Sequence, residues 1–398
     1  MVVEILYYFL PIIVMLGILT SYEDLKYGKI KNKYIVFALI YSLIVNFILV
    51  LFVLFIGQKL NYGYLLEFFT NLVFVLILGG FLWYNGFWTS GDAKLYLVYA
   101  VLIPLSVYNF GYIKYMPGLI LLINTFIPLT LVYFVKIILK TSFNEKKKVF
   151  LEIFKLKEII TYFLFVFVLL WIPQLFVDFL GVYISFIEIM IFTLFVSFFL
   201  RTYFSKKYLK ILVVLCVVRL LFDKSVYSIR FLETIVWLFV ILFVFKAFFV
   251  ELGKNVFSEN IMLKELKKGM ISTDRIYKKK GFYFKELNGV NSKRKYFFNR
   301  YGEGFSSYDV GKLKRLEKKG LLKFSSLNIN KITPFAHYLF IGVLITLFFR
   351  GNIISSLINF NYLSNNLNYF LDLSGWIFVS CLIAVIIYRI LLKTTKVK

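Results

Sequence analysis

The chain has 398 residues, 61% of them hydrophobic, and a mean hydropathy of +0.81. Soluble domains are closer to half apolar, so this composition excludes an ordinary soluble protein and favours a polytopic membrane protein. The net charge of +26 comes from 47 basic and 21 acidic residues. In a soluble protein that excess would suggest nucleic-acid binding, but in a membrane protein basic residues gather on cytoplasmic loops. We therefore expect contact with membrane lipid and no nucleic-acid partner.

About eleven apolar stretches are candidates for membrane spans, each of which needs roughly 20 residues. The first lacks a preceding basic segment, so it is predicted to be a retained span and not a cleaved signal peptide. The expected fold is an all-α polytopic membrane protein, with a small basic cytoplasmic domain inserted before the last two spans. In chain order the predicted spans cover residues 5–21, 34–56, 66–84, 93–110, 118–137, 159–180, 183–200, 208–222, 229–250, 334–350 and 373–393.

The loops between these spans alternate in their content of Lys and Arg. Because basic loops stay in the cytoplasm, the alternation predicts an N-terminus outside the cell and a C-terminus inside. It also places the loop with Asp24 and the loop with Asp92 on the cytoplasmic side. One connector, 223–230, departs from the pattern. The basic segments are 22–33, 138–158, 201–207 and the C-terminal tail, and the poor ones are 57–65, 111–117 and 351–372.

Residues 251–333 are too polar to span a membrane and too long for a simple connector. They hold 20 basic and eight acidic residues, a net charge of +12. We expect a small cytoplasmic domain here. The stretch SSYDVGKLKRLEKKG predicts a capped helix that ends at Gly320. Residues 276–302 predict a β-hairpin with Asn288 and Gly289 as its turn.

Two acids lie beside predicted spans at the same membrane face. Asp24 follows span one in SYEDLKYGKIKNKY, and Asp92 precedes span four in TSGDAK. Two carboxylates held close together cannot both ionise easily, so one keeps a proton while the other stays charged. Such a pair can activate a water molecule and protonate a peptide carbonyl, as in aspartic proteases.

Each of these acids also has an ordinary explanation. Asp24 can be a solvated acid in a basic loop, where its neighbour Glu23 is tolerated as well. Asp92 can be the N-cap of span four, with Gly91 admitting the turn before it. Lys94 can pair with Asp92 or extend to the membrane surface.

The first of these motifs resembles one found in the type IV prepilin peptidase family, in its archaeal preflagellin and prepilin peptidase branch. That family has an Asp after span one, followed six residues later by Ile-Pro-Asn. Here Asp24 is followed by Ile30, Lys31 and Asn32, so Lys31 replaces the proline.

Two further features extend the resemblance. The family motif G-x-G-D-x-K at the entry to span four is similar to TSGDAK, which keeps Gly91, Asp92 and Lys94 and carries Thr89 in place of the first glycine. Family members also have a cytoplasmic insert that ends near a Pro-Phe-Ala segment at a membrane entry, and ITPFAHYLFIG is similar.

The resemblance implies an aspartic endopeptidase that cuts short, basic class III signal peptides from pilin-like or archaellin-like precursors at the cytoplasmic face. Asp24 and Asp92 would be catalytic, and Glu23 would help to attract the basic residues of the precursor. Bacterial relatives often carry a cysteine zinc motif and methylate the new N-terminus. Cys216 and Cys381 lack such spacing, so cleavage alone is expected, with no metal and no cofactor. The supporting motif residues would be Gly91, Lys94, Ile30 and Asn32.

Two functions other than peptide cleavage stay open. A transporter or channel would suit Glu188 and Glu233, which lie in apolar runs. A non-catalytic scaffold of pilus assembly would use the insert to bind acidic lipid or a partner.

The peptidase interpretation divides the chain into four segments. They are 1–137 with both catalytic motifs, 138–250 with additional spans, 251–333 as the basic insert, and 334–398 with the C-terminal spans and tail.

Overall fold

The computed structural model describes most of the chain, which forms two compact units. One unit comprises residues 1–130, 300–304 and 332–398, and the other comprises 131–299 and 305–331. The described residues are 2–57, 61–84, 87–109, 111–112, 114–153, 156–169, 171–172, 175, 208–245, 252–253, 256, 258–272, 274–279, 281–287, 304–330, 334–358 and 367–395.

The described residues are mostly helical. The helices are α1 (Val2–Tyr27), α2 (Asn32–Phe55), α3 (Tyr62–Tyr84), α4 (Ser90–Leu102), α5 (Gly118–Lys140), α6 (Phe143–Ile153), α7 (Leu156–Leu169), α8 (Tyr208–Phe222), α9 (Ile229–Phe245), α10 (Ser307–Lys318), α11 (Ala336–Phe349), α12 (Ile353–Ile358) and α13 (Leu367–Thr395). Short 3-10 turns cover Leu105–Val107, Lys224–Tyr227 and Leu263–Glu265.

Four helices in the described part of the chain are long and apolar enough to cross a membrane. They are residues Ile5–Tyr27 of α1, together with α2, α3 and α5. This supports a multi-pass membrane protein, but the count of eleven spans is not confirmed. The predicted span 183–200 lies outside the described residues.

The span predicted over 93–110 is shorter than expected. Its helix, α4, has only 13 residues, and Ile103 after it is already extended. The cause is Pro104, which disfavours a helical conformation at the preceding residue and has no N–H to continue the helix. A 3-10 turn over Leu105–Val107 follows.

Helix α1 is the centre of the first unit. It packs against α2, α4, α11 and α13, and it buries an apolar face that includes Leu10, Ile13 and Val14. In α2 and α3 only 17% and 22% of the most apolar window is buried, against 50% in α1. The apolar surfaces of α2 and α3 are therefore suited to contact lipid.

Helix α11 is fixed against α5 by close packing and by one buried amide. Gly342 lies against the backbone of Thr125, where no side chain fits. The Asn124 amide donates to the Thr346 hydroxyl (3.0 Å) and to the carbonyl of Gly351 (2.8 Å). Its oxygen accepts from the N–H of Ile353 at 3.2 Å. Since all the polar groups of this buried amide are used, α11 has one defined position on α5.

In the second unit, α8 and α9 pack on α7 around a buried arginine. Arg219 pairs with Asp223 at 3.0 Å. Its guanidinium lies 5.0 Å from the ring of Phe167 and 4.6 Å from that of Phe231. A buried charge is tolerated only with such partners, so this contact explains how an arginine can lie among apolar helices.

The insert is a mixed α/β domain and not a purely helical one. Strands β1 (Ser258–Met262), β5 (Ser326–Asn330) and β2 (Ile271–Ser272) form an antiparallel sheet in the order β1-β5-β2. Strands β3 (Asp274–Lys279) and β4 (Phe282–Leu287) form a hairpin. Helix α10 lies between β4 and β5 in the chain, and Leu313 of α10 is buried in one core with Ile276, Tyr283 and Leu327.

Two predictions for the insert can be compared with its structure. The capped helix is confirmed, since Ser306 caps α10 and Gly320 follows it with φ +68°. A hairpin is also present, formed by β3 and β4, in which Lys279 pairs with Phe282. The predicted turn at Asn288 and Gly289 lies outside the described residues. Gly281, between β3 and β4, has φ +85°, a conformation that glycine adopts without strain.

Replacing Gly342 with alanine tests the packing of α11 on α5. The added methyl group would lie 2.7 Å from the backbone N and Cα of Thr125. We expect the free energy of unfolding to fall by about 1–3 kcal/mol, the usual cost of overpacking a core, and Tm in detergent to fall with it. The control is Gly80→Ala on α3, where nothing lies within 4 Å. An equal loss of Tm in both variants would contradict the close approach.

Candidate active site

Asp24 lies in the last turns of α1 and not in a loop. Its carbonyl accepts from the N–H of Gly28 at 2.8 Å, and Gly28, with φ +62°, follows the helix end. The residue is only 7% exposed. The interpretation of Asp24 as a solvated loop acid is therefore wrong.

The Asp24 carboxylate is bound to the start of α11. Its Oδ2 accepts from the N–H of Phe335 at 2.7 Å and from the N–H of Ala336 at 2.9 Å. Phe335 is the N-cap of α11, and Ala336 is its first residue. Unsatisfied N–H groups and the positive end of the helix dipole are found at this position, and both favour a negative charge. The side chain of Asp24 therefore joins the end of α1 to the start of α11.

Asp92 lies in the first turn of α4, but it is not the N-cap. The N-cap is Thr89, and the two residues form a capping box. Asp92 Oδ2 accepts from the Thr89 N–H at 3.0 Å and lies 2.7 Å from the Thr89 hydroxyl, which accepts from the Asp92 N–H at 3.3 Å. Thr89 thus holds Asp92 in place.

Burial gives Asp92 an unusual protonation equilibrium. The residue is 4% exposed. Burial raises the pKa of Asp92 from 3.8 to about 6, the hydrogen bonds from Thr89 oppose that rise, and the negative charge of Asp24 adds to it. The two acids are thus close enough to influence each other electrostatically, as α1 and α4 are in contact.

The remaining motif residues connect the two acid-bearing segments. A Cβ on Gly91 would lie 3.6 Å from Ile30, so the two residues are in contact. The Lys94 ammonium donates to the Asn32 side chain at 3.3 Å, across 62 residues of sequence. The structure therefore brings the two motifs together, although Lys94 binds Asn32 and not Asp92, with which a pairing was considered.

Glu23 is engaged with the loop that follows α1. Its Oε1 pairs with the Lys31 ammonium at 2.6 Å, and its Oε2 accepts from the Lys31 N–H at 3.1 Å. Glu23 is 4% exposed. These contacts favour a role in anchoring the loop, in place of the predicted attraction of substrate. Lys31 supplies both contacts.

No protein-family model, curated protein or solved structure matches this chain. Its function is therefore inferred from the residues of the site.

Two other capping boxes in the chain provide an internal comparison. Ser306 and Asp309 form one at the start of α10, with the Ser306 N–H 2.9 Å from Asp309 Oδ2. Ser142 and Glu145 form another before α6, with a corresponding distance of 2.8 Å. A capping box alone is thus an ordinary structural device here. Asp92 differs from Asp309 and Glu145 in being buried and in facing a second buried acid.

Sequence reasoning predicted the Pro-Phe-Ala segment but not its contact with Asp24, and it missed Trp88. Trp88, which precedes Thr89, is 4% exposed, and its ring centroid lies 5.2 Å from that of Phe335. The ring contact thus joins the segment that holds Asp92 to the segment that binds Asp24. The pattern T-x-x-D signals the capping box, but nothing local pairs Asp24 with Phe335 and Ala336. Among the described residues, no three His, Cys, Asp or Glu side chains are grouped to hold a metal ion.

Replacing Asp92 with asparagine tests the effect of its burial. A pKa raised to about 6 means that Asp92 contributes stability below pH 4 and loses that contribution as the pH rises through 6. The amide of an asparagine cannot ionise. We therefore expect Asp92→Asn to gain up to about 3 kcal/mol over wild type above pH 7, from roughly two pK units, and nothing at pH 4. Thermal unfolding in detergent from pH 4 to 8 measures this, and a difference independent of pH would contradict the assignment.

Proposed function

We propose that this protein is a membrane aspartic endopeptidase that removes short basic signal peptides from pilin-like or archaellin-like precursors. The observation that carries the proposal is the burial of two electrostatically coupled acids, Asp24 and Asp92, where the end of α1 meets the start of α4. A strongly perturbed acid beside a second acid is typical of a catalytic site.

The anchoring of the two carboxyls suits the hydrolysis of a peptide bond. Each uses Oδ2 for its contacts with the protein. The other oxygen of each carboxyl has no hydrogen-bond partner within the described ranges. One fixed and one available oxygen per acid allow a water molecule and a peptide carbonyl to be bound between them.

The position of the acids suits a cut at the edge of a membrane. Asp24 lies near the end of the apolar helix Ile5–Tyr27 and Asp92 in the first turn of α4. The alternation of basic loops places both at the cytoplasmic face, with the N-terminus outside and the insert and C-terminus inside. In this arrangement the apolar helix of a precursor lies among the spans, and its basic leader remains in water. Because Glu23 is paired with Lys31, the negative charge that the leader meets comes from the pair of Asp24 and Asp92 as a whole.

The alternative of a transporter depends on Glu188 and Glu233. Glu233 is exposed on α9, and Glu188 lies outside the described residues. No contact in the described ranges therefore favours that function over peptide cleavage.

Cleavage by the purified full-length protein in lipid vesicles tests the proposal, with a panel of precursors that carry basic class III leaders. We expect Asp24→Asn and Asp92→Asn each to lower the rate at least about 100-fold, the lower limit for loss of an acid–base group. The control is Asp309→Asn, which alters the same kind of capping box at α10; it should cut at the wild-type rate. A normal rate in either site variant would contradict the pair, and a wild-type protein that cuts no precursor would contradict the function.

A further inference from the structure

The short helix α6 follows directly on one of the long apolar helices. Helix α5 has 23 residues and is apolar enough to cross a membrane. Its length of about 34 Å matches the roughly 30 Å of hydrocarbon in a bilayer, so a membrane crossed by α5 has one surface near Lys140. Helix α6 begins at Phe143, three residues later. The chain therefore keeps α6 close to that surface.

Hydrogen bonds hold the start of α6 beside the end of α5. The Lys146 ammonium donates to the carbonyl of Ile138, in the last turn of α5, at 2.9 Å. The N–H of Ser142 donates to Glu145 Oε2 at 2.8 Å, which caps α6. These contacts close the corner between the two helices, so α6 does not extend freely away from α5.

Helix α6 has one side on the protein and another side that no protein group covers. Val149 packs against Phe243 of α9, whereas Phe143 and Leu151 are 79% and 64% exposed. With 3.6 residues per turn, Phe143 and Leu151 lie about 80° apart around the helix axis. Val149 lies about 120° from Phe143 and about 160° from Leu151. The exposed apolar pair is therefore on the side of α6 that faces away from its contact with α9.

Basic residues accompany this exposed pair. Lys147 lies between Phe143 and Leu151, about 40° from each around the axis, and it is exposed as well. Residues 138–158 contain six lysines and three glutamates, a net charge of +3. Apolar side chains interspersed with lysines on one helix side are typical of a helix that lies in the surface layer of a membrane. The apolar groups enter the acyl region there, and the lysine stem lets the ammonium reach the headgroups.

We propose that α6 is an interfacial helix that binds the anionic surface of the membrane, with Phe143 and Leu151 among the acyl chains and Lys147 at the lipid phosphates. The positive charge of the segment favours anionic over neutral lipid. The alternation of basic loops predicts that this segment is cytoplasmic, the side on which the membrane surface is negative. The inference uses neither Asp24 nor Asp92 and does not depend on the proposed peptidase function.

Spin labels on α6 can report whether its exposed side is in lipid. Phe143→Cys, Leu151→Cys and the control Lys148→Cys are made in the full chain with Cys216→Ser and Cys381→Ser. Each variant is labelled with a nitroxide and placed in vesicles of phosphatidylcholine and phosphatidylglycerol. Position 148 lies about 100° from the middle of the exposed apolar pair. We expect the labels at 143 and 151 to collide more with oxygen, which dissolves in lipid, than with a nickel complex in water, and the label at 148 to do the reverse.

Two results would overturn the proposal. Equal access of the nickel complex to all three labels would mean that the exposed side of α6 is in water. Protection of the labels at 143 and 151 from both oxygen and the nickel complex would mean that another protein, or a second copy of this chain, covers that side.

Variants of Lys147 test the preference for anionic lipid. Lys147→Gln should lower the oxygen preference of the label at 151 in the mixed vesicles, because a contact with the negative surface is lost. It should leave that preference unchanged in vesicles of phosphatidylcholine alone, and Lys147→Arg should retain it in both. An equal fall with Lys147→Gln in the two kinds of vesicle would overturn the assignment of anionic lipid as the partner.

Discussion

The fold of the first unit depends on the carboxylate of Asp24. A buried ionised carboxylate without donors would cost many kcal/mol, and here the donors come from residues 311 and 312 positions away, at the start of α11. Helix α11 can supply them because Gly342 and Asn124 fix it on α5. The C-terminal helices therefore complete a site that begins in α1. A side chain without an acceptor oxygen at position 24 would leave the first N–H groups of α11 poorly satisfied.

The sequence alone was sufficient for the long apolar helices and for most helix positions in the described residues, because apolar runs and helix caps are local signals. The structural features that were predicted wrongly or not at all depend on residues distant in the sequence or on local signals that oppose each other. Pro104 ends α4, although the apolar run of the sequence continues to residue 110. The β-sheet joins β1 to β5 across about 70 residues, a distance that local patterns do not report.

The sequence predicted both acids of the candidate site, but only some of the residues that contact them. The spacing of the motifs around Asp24 and Asp92 led to both residues, and the structure places the motifs in contact through Ile30 and Gly91. The partners of charged side chains could not be read from the sequence, since long side chains reach several neighbours. Glu23 binds Lys31, so an expected substrate contact is engaged within the protein. Thr89 departs from the family motif, yet it is the residue that holds Asp92.

Helix capping alone does not account for the burial of Asp92. Helix α10 shows that the same capping box works with an acid that is only partly buried, so capping does not require burial beside a second acid. At neutral pH the ionised Asp92 destabilises the folded protein, whereas an uncharged asparagine would avoid that cost. Strongly perturbed acids cluster at functional sites. The burial of Asp92 near a second buried acid, Asp24, therefore supports the proposed catalytic role.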